Sequence, residues 1–437
     1  PSTPRVDELV PGFGQEQPSA SEFFFEPNRR DFAQLRAAWQ VDAPWADEVQ
    51  GQFGWQRIVD NRRLRAFEAD QRTLEQNSSE LYGLSVTAIR RFSGGELRYG
   101  LDLTTDEVRS SRQAQSVSGG GQVAIAARFP DGSRQQGAGL FAEQRWQLSP
   151  ATTVELGLRY SRFRVDIAAT DFGEPGAELN PDDVTARLGI RHEIAPTLSL
   201  VANAAQGFRA PNIFDLGALG PRPGNRFNVA NNDLEPERIN SIDAGLVGDA
   251  GTLHWEATVF YADYSDKITS VLTGEVNDDG RLVTRSENVT SETLYGAELS
   301  ATWEGDGGSV VSAALNWVWG EDNQFGLSTP ADRIPPMNGR VRVDLPLRSW
   351  DVAAVLAFAA QQQRLSPRDV LDPRIDPTGT DAWAALNLRA SRALGRCCTL
   401  TLGIDNIFDE RYREHGSGID APGRGAIVEL AMPLGGV

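Results

Sequence analysis

The chain has two cysteines, three histidines and two methionines in 437 residues, and Lys267 is its only lysine. Cys397 and Cys398 are adjacent. Neighbours in sequence make poor disulfide partners, and no Cys-x-x-Cys spacing suggests zinc. Two small side chains at the start of a strand account for them. His192, His254 and His415 are too few for an evident triad, and neither a Gly-x-Ser-x-Gly elbow nor a His-Glu-x-x-His helix occurs. No enzymatic activity, cofactor or metal is therefore expected. No run reaches the ~18 apolar residues of a transmembrane helix, and the longest extends only from Val352 to Ala360. Basic residues are also outnumbered, 42 Lys and Arg against 60 Asp and Glu, for a formal charge of −18. That balance argues against nucleic acid, whose phosphates require a basic face. Genome composition explains the near absence of lysine. No signal peptide is visible and the chain opens on Pro1, so a mature product or a fragment is expected.

What is present is alternation. With 40% hydrophobic and 23% charged residues the chain is too apolar for disorder. Val154, Leu156, Leu158 and Tyr160 would share one strand face, with Glu155, Gly157, Arg159 and Ser161 on the other. Tyr295, Ala297, Leu299, Ala301 and Trp303 oppose Gly296, Glu298, Ser300 and Thr302 in the same way. Similar patterns run through Val341–Leu347, Ala384–Ser391, Leu400–Asp405 and Ala426–Leu434.

A soluble sandwich with one wet face would also alternate, so the connections decide. Short ones rich in Gly, Pro, Asp or Ser lie near Ala43–Trp45, Ser93–Gly95, Ser149–Pro150, Ala195–Pro196, Gly248–Gly251, Gly305–Gly308, Leu347–Trp350 and Gly395–Arg396. Between them lie long polar segments near 59–77, 109–133, 168–183, 208–238, 267–292, 320–336, 364–381 and 411–423. Tight turns on one side, long loops on the other and strands of about 10 residues between are the pattern of a transmembrane barrel. Loops this long count against a compact soluble domain. Tyr295 and Trp303, eight residues apart on one apolar face, would stand roughly 20 Å apart along the membrane normal, near the spacing of aromatic girdles.

The expected fold is therefore all-β, a transmembrane antiparallel barrel of about 17 strands beginning near Asp31. Residues 1–30 are expected to be a loop remnant or irregular segment, and 31–437 the barrel. Bacterial single-chain barrels normally have even strand numbers, so an odd count implies further strands before residue 1 and a poorly paired N-terminal strand.

Several segments then bring a resemblance. Gln206-Gly207-Phe208-Arg209-Ala210-Pro211-Asn212 looks like the F-R-A-P box of TonB-dependent outer-membrane receptors. Asn231-Asn232-Asp233-Leu234-Glu235-Pro236-Glu237 resembles the N-P-x-L-x-P-E segment that follows it. Glu287-Asn288-Val289, Tyr295-Gly296-Ala297-Glu298-Leu299, Asp332-Arg333-Ile334-Pro335-Pro336 and Ser366-Pro367-Arg368-Asp369 match in order. Most specific is Asp405-Asn406-Ile407-Phe408-Asp409-Glu410-Arg411-Tyr412, which resembles the N-L-F-D-x-x-Y box.

The resemblance implies a 22-stranded barrel, so that the plug, the segment engaging an inner-membrane TonB-type coupling protein and about five strands would be missing from this chain. It implies a bacterial outer-membrane location, contact with lipid and lipopolysaccharide, a monomer, and energy-coupled uptake of a scarce small-molecule nutrient such as a metal-siderophore chelate or cobalamin. A passive porin or structural barrel without a plug is the alternative. Ligand-binding candidates on the loops are Arg209, Asn212, Arg222, Arg226, Arg368, Asp369, Arg374, Tyr412 and His415, the arginines as bidentate partners for carboxylate or phosphate. Intraloop ion pairs or lipopolysaccharide contacts would explain them equally. Haem receptors of the family carry a histidine between the first two boxes, and none occurs here. Asn277-Asp278-Asp279-Gly280 lacks the ligand spacing of an EF-hand and reads as a tight turn.

Overall fold

The structure is a computed structural model that describes residues 2–169, 176–217, 220–222, 226–231, 233–278, 282–395 and 398–432. One sheet of 23 strands contains nearly all of its regular structure. Seventeen strands are long and follow one another antiparallel, from Ala20–Ala43 to Gly425–Ala431. The other six are short pieces such as Gln122–Ile125 and Leu327–Pro330 that pair along the loop-side ends.

The short connections among the described residues fall where turn chemistry places them, for example between Phe92 and Gly95, Ser149 and Thr152, and Leu347 and Trp350. Gly94 makes the first of these possible by taking φ +86°, a left-handed conformation that costs a glycine little. Arg396 and Cys397, at the last of the short connections, lie outside the described residues, and Cys398 opens the strand Cys398–Asp405.

Register turns the alternation into two continuous faces. Across the ladders Leu156 meets Leu188, Ala257 meets Leu299, Leu299 meets Leu315, Leu356 meets Leu386 and Leu402 meets Val428. Much of this apolar face is nevertheless exposed: Leu158 is 51% accessible, Val259 59% and Val428 76%. The opposite face is charged, with Arg159 on Asp102 at 2.7 Å and Arg389 on Asp405 at 2.6 Å. Total accessible surface is 25316 Å² for a 47.6 kDa chain, whereas a compact globular monomer of that mass would expose about 16,000 Å². The sheet is wet or lipid-covered on both sides, and its greasy residues do not close on a central core.

Aromatic side chains border the apolar face. Tyr261, Tyr295 and Trp319 align across three strands, with Tyr295 stacked on Trp319 at 6.5 Å and edge-on to Trp317 at 6.0 Å. Nearer the short turns Trp146 pairs with Val154, Trp255 with Ala301 and Trp303 with Val311.

Several strands run far beyond the length that spans a bilayer, and this corrects the sequence-based boundaries. The first long strand starts at Ala20, inside the segment expected to be a loop remnant, and Thr3–Pro4 and the helix Val6–Leu9 precede it. Segments 59–77 and 267–292 are largely strand, and 109–133 is so over 109–116 and Gln122–Ile125: only Phe67–Asp70 separates Ala66 from Gln71, and Val276 and Leu282 end facing strands. Such ribbons have water on both faces, so they lack apolar alternation while keeping their backbone ladder. Pairs such as Ser270 with Ser286 continue it. Near the N-terminus cation–π contacts reinforce it, with Arg62 over Phe25 and Arg63 over Phe24 at 5.0 and 4.9 Å.

Ala20–Ala43 pairs along most of its length with Ala46–Ala66, while among the described residues its other edge meets only Thr3–Pro4, at Phe24 and Phe25. No register among the described residues joins it to Gly425–Ala431. With seventeen antiparallel strands the first and last run in the same direction, so a simple antiparallel closure is geometrically unavailable. Contacts at the loop side draw the two regions together: Phe13 donates its backbone N–H to the Pro373 carbonyl at 2.8 Å, and Arg413 lies over the Phe13 ring at 4.8 Å.

Leu299 and Ser300 test the assignment of faces. Leu299→Arg places a charge in the apolar band and is expected to cost about 2–4 kcal/mol of stability in lipid. Ser300→Arg, one residue on and facing the interior, is expected to cost under about 1 kcal/mol. Urea unfolding from bilayers, followed by tryptophan emission, checks both, and equal costs would contradict the assignment.

Candidate functional site

The loop-side segments are tied into two clusters, and the sequence boxes turn out to be their knots. In the first, Arg209 ends the strand Leu198–Arg209 and holds two carboxylates, Asp215 and Glu237, each at 2.6 Å. Hydrogen bonds from Arg209 to Glu237 and Asp215 hold the guanidinium protonated beyond its ordinary range, against the opposing effect of burial. Asn212 precedes the helix Ile213–Gly217, and its side-chain oxygen accepts from the N–H groups of Phe214 and Asp215. Asn288 reaches back to Glu235 from its own strand, accepting its N–H at 2.9 Å and donating to its carbonyl at 2.8 Å. Beneath lies a small apolar core in which Ile213, Leu216 and Leu234 pack with Val165, Ile167 and Leu179. It lies toward the loop-side ends of the strands, where the chain meets water and a hydrophobic core is useful again.

Arg222 and Arg226 face each other across a two-stranded piece, Gly220–Arg222 with Arg226–Val229. Their side chains lie outside the described residues, as do Asp279 and Gly280 of the expected acidic turn.

The second cluster joins the loops around 332–336, 364–381 and 411–423. Asp369 is 1% exposed and completes a capping box with Ser366 at the helix Pro367–Val370. The same carboxylate accepts the Arg333 N–H at 3.1 Å. Asp372 binds Arg374 at 2.7 Å and also pairs with Arg333. Burial opposes its ionisation, but hydrogen bonds from the Arg374 side chain and backbone and from Arg333 outweigh it and hold the carboxyl well below the usual range. Arg368 projects outward, 79% accessible in its side chain, with Asp332 at 3.1 Å. Tyr412 stacks on Trp383 with centroids 4.2 Å apart.

His415 joins this cluster to the interior. Its Nδ1 bonds the Thr380 hydroxyl at 2.9 Å, while Nε2 is buried without a partner. Burial depresses its basicity, Asp369 opposes that effect and Arg333 adds to it. With Glu414, His415 completes the lining of a cavity of ≈ 670 Å³ whose wall includes Glu298, Asn316, Arg340 and Trp383. The Asn316 side-chain oxygen is likewise buried and unpartnered.

The structure thus brings Arg368, Asp369, Arg374, Tyr412 and His415 into one region and places Arg209 and Asn212 in another. Asn212 and Arg209 direct polar atoms at neighbouring loop segments, as does Asp369 through Oδ2, while its Oδ1 is buried without a partner. Sequence reasoning did not select Glu298, Asn316, Trp383 or Glu414. Glu298 was recognisable as an inward position from alternation, but only the registers reveal which inward positions share a cavity.

Two outcomes follow from this packing. Arg209→Ala leaves Asp215 and Glu237 without their cation and is expected to loosen 210–236 by about 1–2 kcal/mol, read as faster amide exchange there with the barrel strands unchanged. His415 is held neutral, with a folded-state pKa below its unfolded value. Its contribution to loop packing is therefore full above the ordinary histidine range and is lost as pH falls through the folded pKa. Exchange of 411–423 is expected to rise on acidification, and His415→Gln is expected to flatten that dependence.

A family model described as "TonB dependent receptor-like, beta-barrel" matches residues 5–407. The Rhizobactin receptor of Rhizobium meliloti (strain 1021) is 24% identical over 375 residues, which cover 76% of this chain and 47% of that protein. Hemoglobin-haptoglobin utilization protein B of Neisseria meningitidis serogroup C is 24% identical over 246 residues, 49% of this chain and 30% of that protein. The chain spans less than half the length of these two relatives. Among solved structures, the copper transporter OprC is similar with TM-score 0.79 and 18% identity, covering 95% of this chain and 66% of its own. The unliganded ferric citrate transporter FecA gives 0.72 and 16%, covering 94% and 62%. The fold likeness, the ordered boxes and a match over most of the length lead to one conclusion: the chain belongs to the TonB-dependent receptor family, as part of its β-barrel.

Proposed function

We propose that the protein takes up a scarce metal, as a small chelate, across the bacterial outer membrane, with this chain supplying barrel wall and external loops. The observation that supports this most is the second loop cluster. Ion pairs and a capping box fix it as a rim, leaving Arg368 outward and His415 at a largely apolar cavity that also carries Glu298, Asn316 and Arg340. Rigid scaffolds carrying loops with convergent polar groups are where binding usually resides. Arg368, Tyr412 and His415 are the ligand-contacting candidates we favour; Arg209, Asn212, Asp369 and Arg374 hold the loops in place. Relatives named for rhizobactin, for metal-pseudopaline and for ferric enterobactin accord with a chelate. Two others are named for haemoglobin-haptoglobin and haem/hemopexin, but no histidine lies between Arg209 and Glu237 here, which counts against haem. Transport would be driven by inner-membrane energy through a TonB-type coupling protein, and the receptor would act as a monomer. No observation favours a passive porin.

The test is metal-limited growth of the parent bacterium with the gene deleted. Uptake of radiolabelled metal chelates is expected to fall for one chelate class and to fall equally when the coupling protein is removed. Uptake that survives loss of the coupling protein would contradict the proposal. Arg368→Ala and His415→Ala are each expected to raise the chelate Kd about 5- to 50-fold, with unchanged receptor in the membrane.

A further inference from the structure

The cavity at His415 rests on two inward rows of the ladder. Registers align Glu298, Asn316, Asn338, Ala359 and Trp383 across five strands. Two residues nearer the short turns, the next row is Glu256, Ser300, Ala314, Arg340 and Ala357. Ser300, Ala314 and Ala357 are small, and the space of ≈ 670 Å³ opens over them. Pro335 and Pro336 cover it together with Glu414 and His415. Asn338 fastens that cover to the wall, donating to the Pro336 carbonyl at 2.9 Å.

Charges in this cavity are unpaired, unlike those around it. On the same strand and face as Arg340, Arg342 is held by Asp344 at 2.6 Å, and further along the wall Asp405 holds Arg389. Among the described residues, the side chains of Glu298, Glu414 and Arg340 form no ion pair or hydrogen bond. Glu256 accepts only from the Thr258 hydroxyl, at 3.5 Å. Glu298 and Arg340 stand two strands and one row apart, roughly 12 Å between their backbones, and register keeps them separate. On the strand between them the Asn316 side-chain oxygen is buried without a partner. Such an acceptor costs stability until something donates to it. Trp383, stacked on Tyr412, closes the far end with an apolar ring.

We propose that this cavity selects a metal chelate bearing an amino-acid head, an ammonium beside a carboxylate. Opposite charges held apart on one wall, with an unused acceptor between them, fit a ligand group that carries both signs. The ammonium takes Glu298 and the Asn316 oxygen, while Glu256 and Glu414 add to the negative field there. The carboxylate takes the guanidinium of Arg340, whose planar fork suits two oxygens. The apolar body of the chelate lies against Trp383 and the proline cover. This names the substrate class of the receptor, and it rests on the reading of the protein as a chelate importer.

The parent receptor, purified from outer membranes in mild detergent, is titrated with ferrioxamine B acylated at its amine by the γ-carboxyl of glutamate. This ferric trihydroxamate ends in the required head, and quenching of tryptophan emission reports its binding. Acetylating the α-amine or amidating the α-carboxylate is expected to weaken binding about tenfold each. Glu298→Gln should weaken the unmodified probe by a similar factor and make no difference to the acetylated one, which has lost the group it meets. Arg340→Gln should weaken the unmodified probe and make no difference to the amidated one. Ala314→Phe, which fills the cavity, should weaken all three. Heat-sensitive gel migration confirms that each variant is folded. Equal affinity for the three probes, absence of saturable quenching by the unmodified one, or folded Glu298→Gln and Arg340→Gln receptors that lose all three probes alike would each overturn the assignment. The chelate reading itself is decided separately, by whether uptake survives loss of the coupling protein.

Discussion

Backbone hydrogen bonding inside hydrocarbon is the constraint on which the rest depends. Lipid offers no partner to an N–H or C=O, so a chain that crosses it as strands must satisfy every such group on a neighbour. The long unbroken registers, such as that joining Gln71–Phe92 to Gly95–Ser116, meet that demand, and they leave the side chains free to sort by solvent. Leucine, valine and tyrosine stand exposed on one face because their solvent is lipid. Arginine, glutamate and asparagine line the other because theirs is water. A fold of this kind has little need of a central core, which is why its accessible surface of 25316 Å² far exceeds that of a compact protein.

Where the sheet leaves the membrane the rules change. Ordinary folding chemistry returns: a small apolar core around Leu216 and Val165, helix caps at Asn212 and Ser366, and ion pairs between arginines and carboxylates. Acidic excess and abundant arginine are put to use here. Asp372 is gripped by Arg333 and Arg374, and Arg209 by Glu237 and Asp215. Binding surfaces need loops held in defined positions, and these pairs give polar, glycine-containing segments that definition without membrane contact. The same division explains why the N-terminal segment can touch distant loops through Phe13 and Pro373 while no register among the described residues pairs Ala20–Ala43 with Gly425–Ala431.

Much of this was legible in the sequence, and unevenly so. Turn residues such as Gly94 and Pro196 act locally, so the short connections were placed correctly. Alternation reports a difference in solvent between two faces, so strands such as Thr152–Ile167 and Leu282–Glu304 were visible through their lower halves. Their upper parts have water on both faces and carry no such signal; Ser270 and Ser286 read as loop although their backbones are paired. The same blindness hid the first part of the strand Ala20–Ala43, which the alternation shows only from about Asp31. At the rim, residue type suggested binding for Asp369 and Arg209, but a buried cap and an ion-pair hub use the same residue types. Only partners and burial distinguish them. Glu298, Asn316 and Trp383 share a cavity through register and loop packing, neither of which a linear pattern contains.

Spin labels at successive positions from Tyr295 to Trp303, with both native cysteines replaced by serine, would read directly which face of the sheet meets lipid and which meets water. Accessibility to oxygen and to a water-soluble nickel chelate would be measured in lipid bilayers. With lipid on one face and water on the other, the two quantities are expected to oscillate out of phase with a period of two, oxygen peaking at Ala297, Leu299 and Ala301 and nickel at Glu298 and Ser300. In-phase variation, or a period near 3.6, would contradict that arrangement.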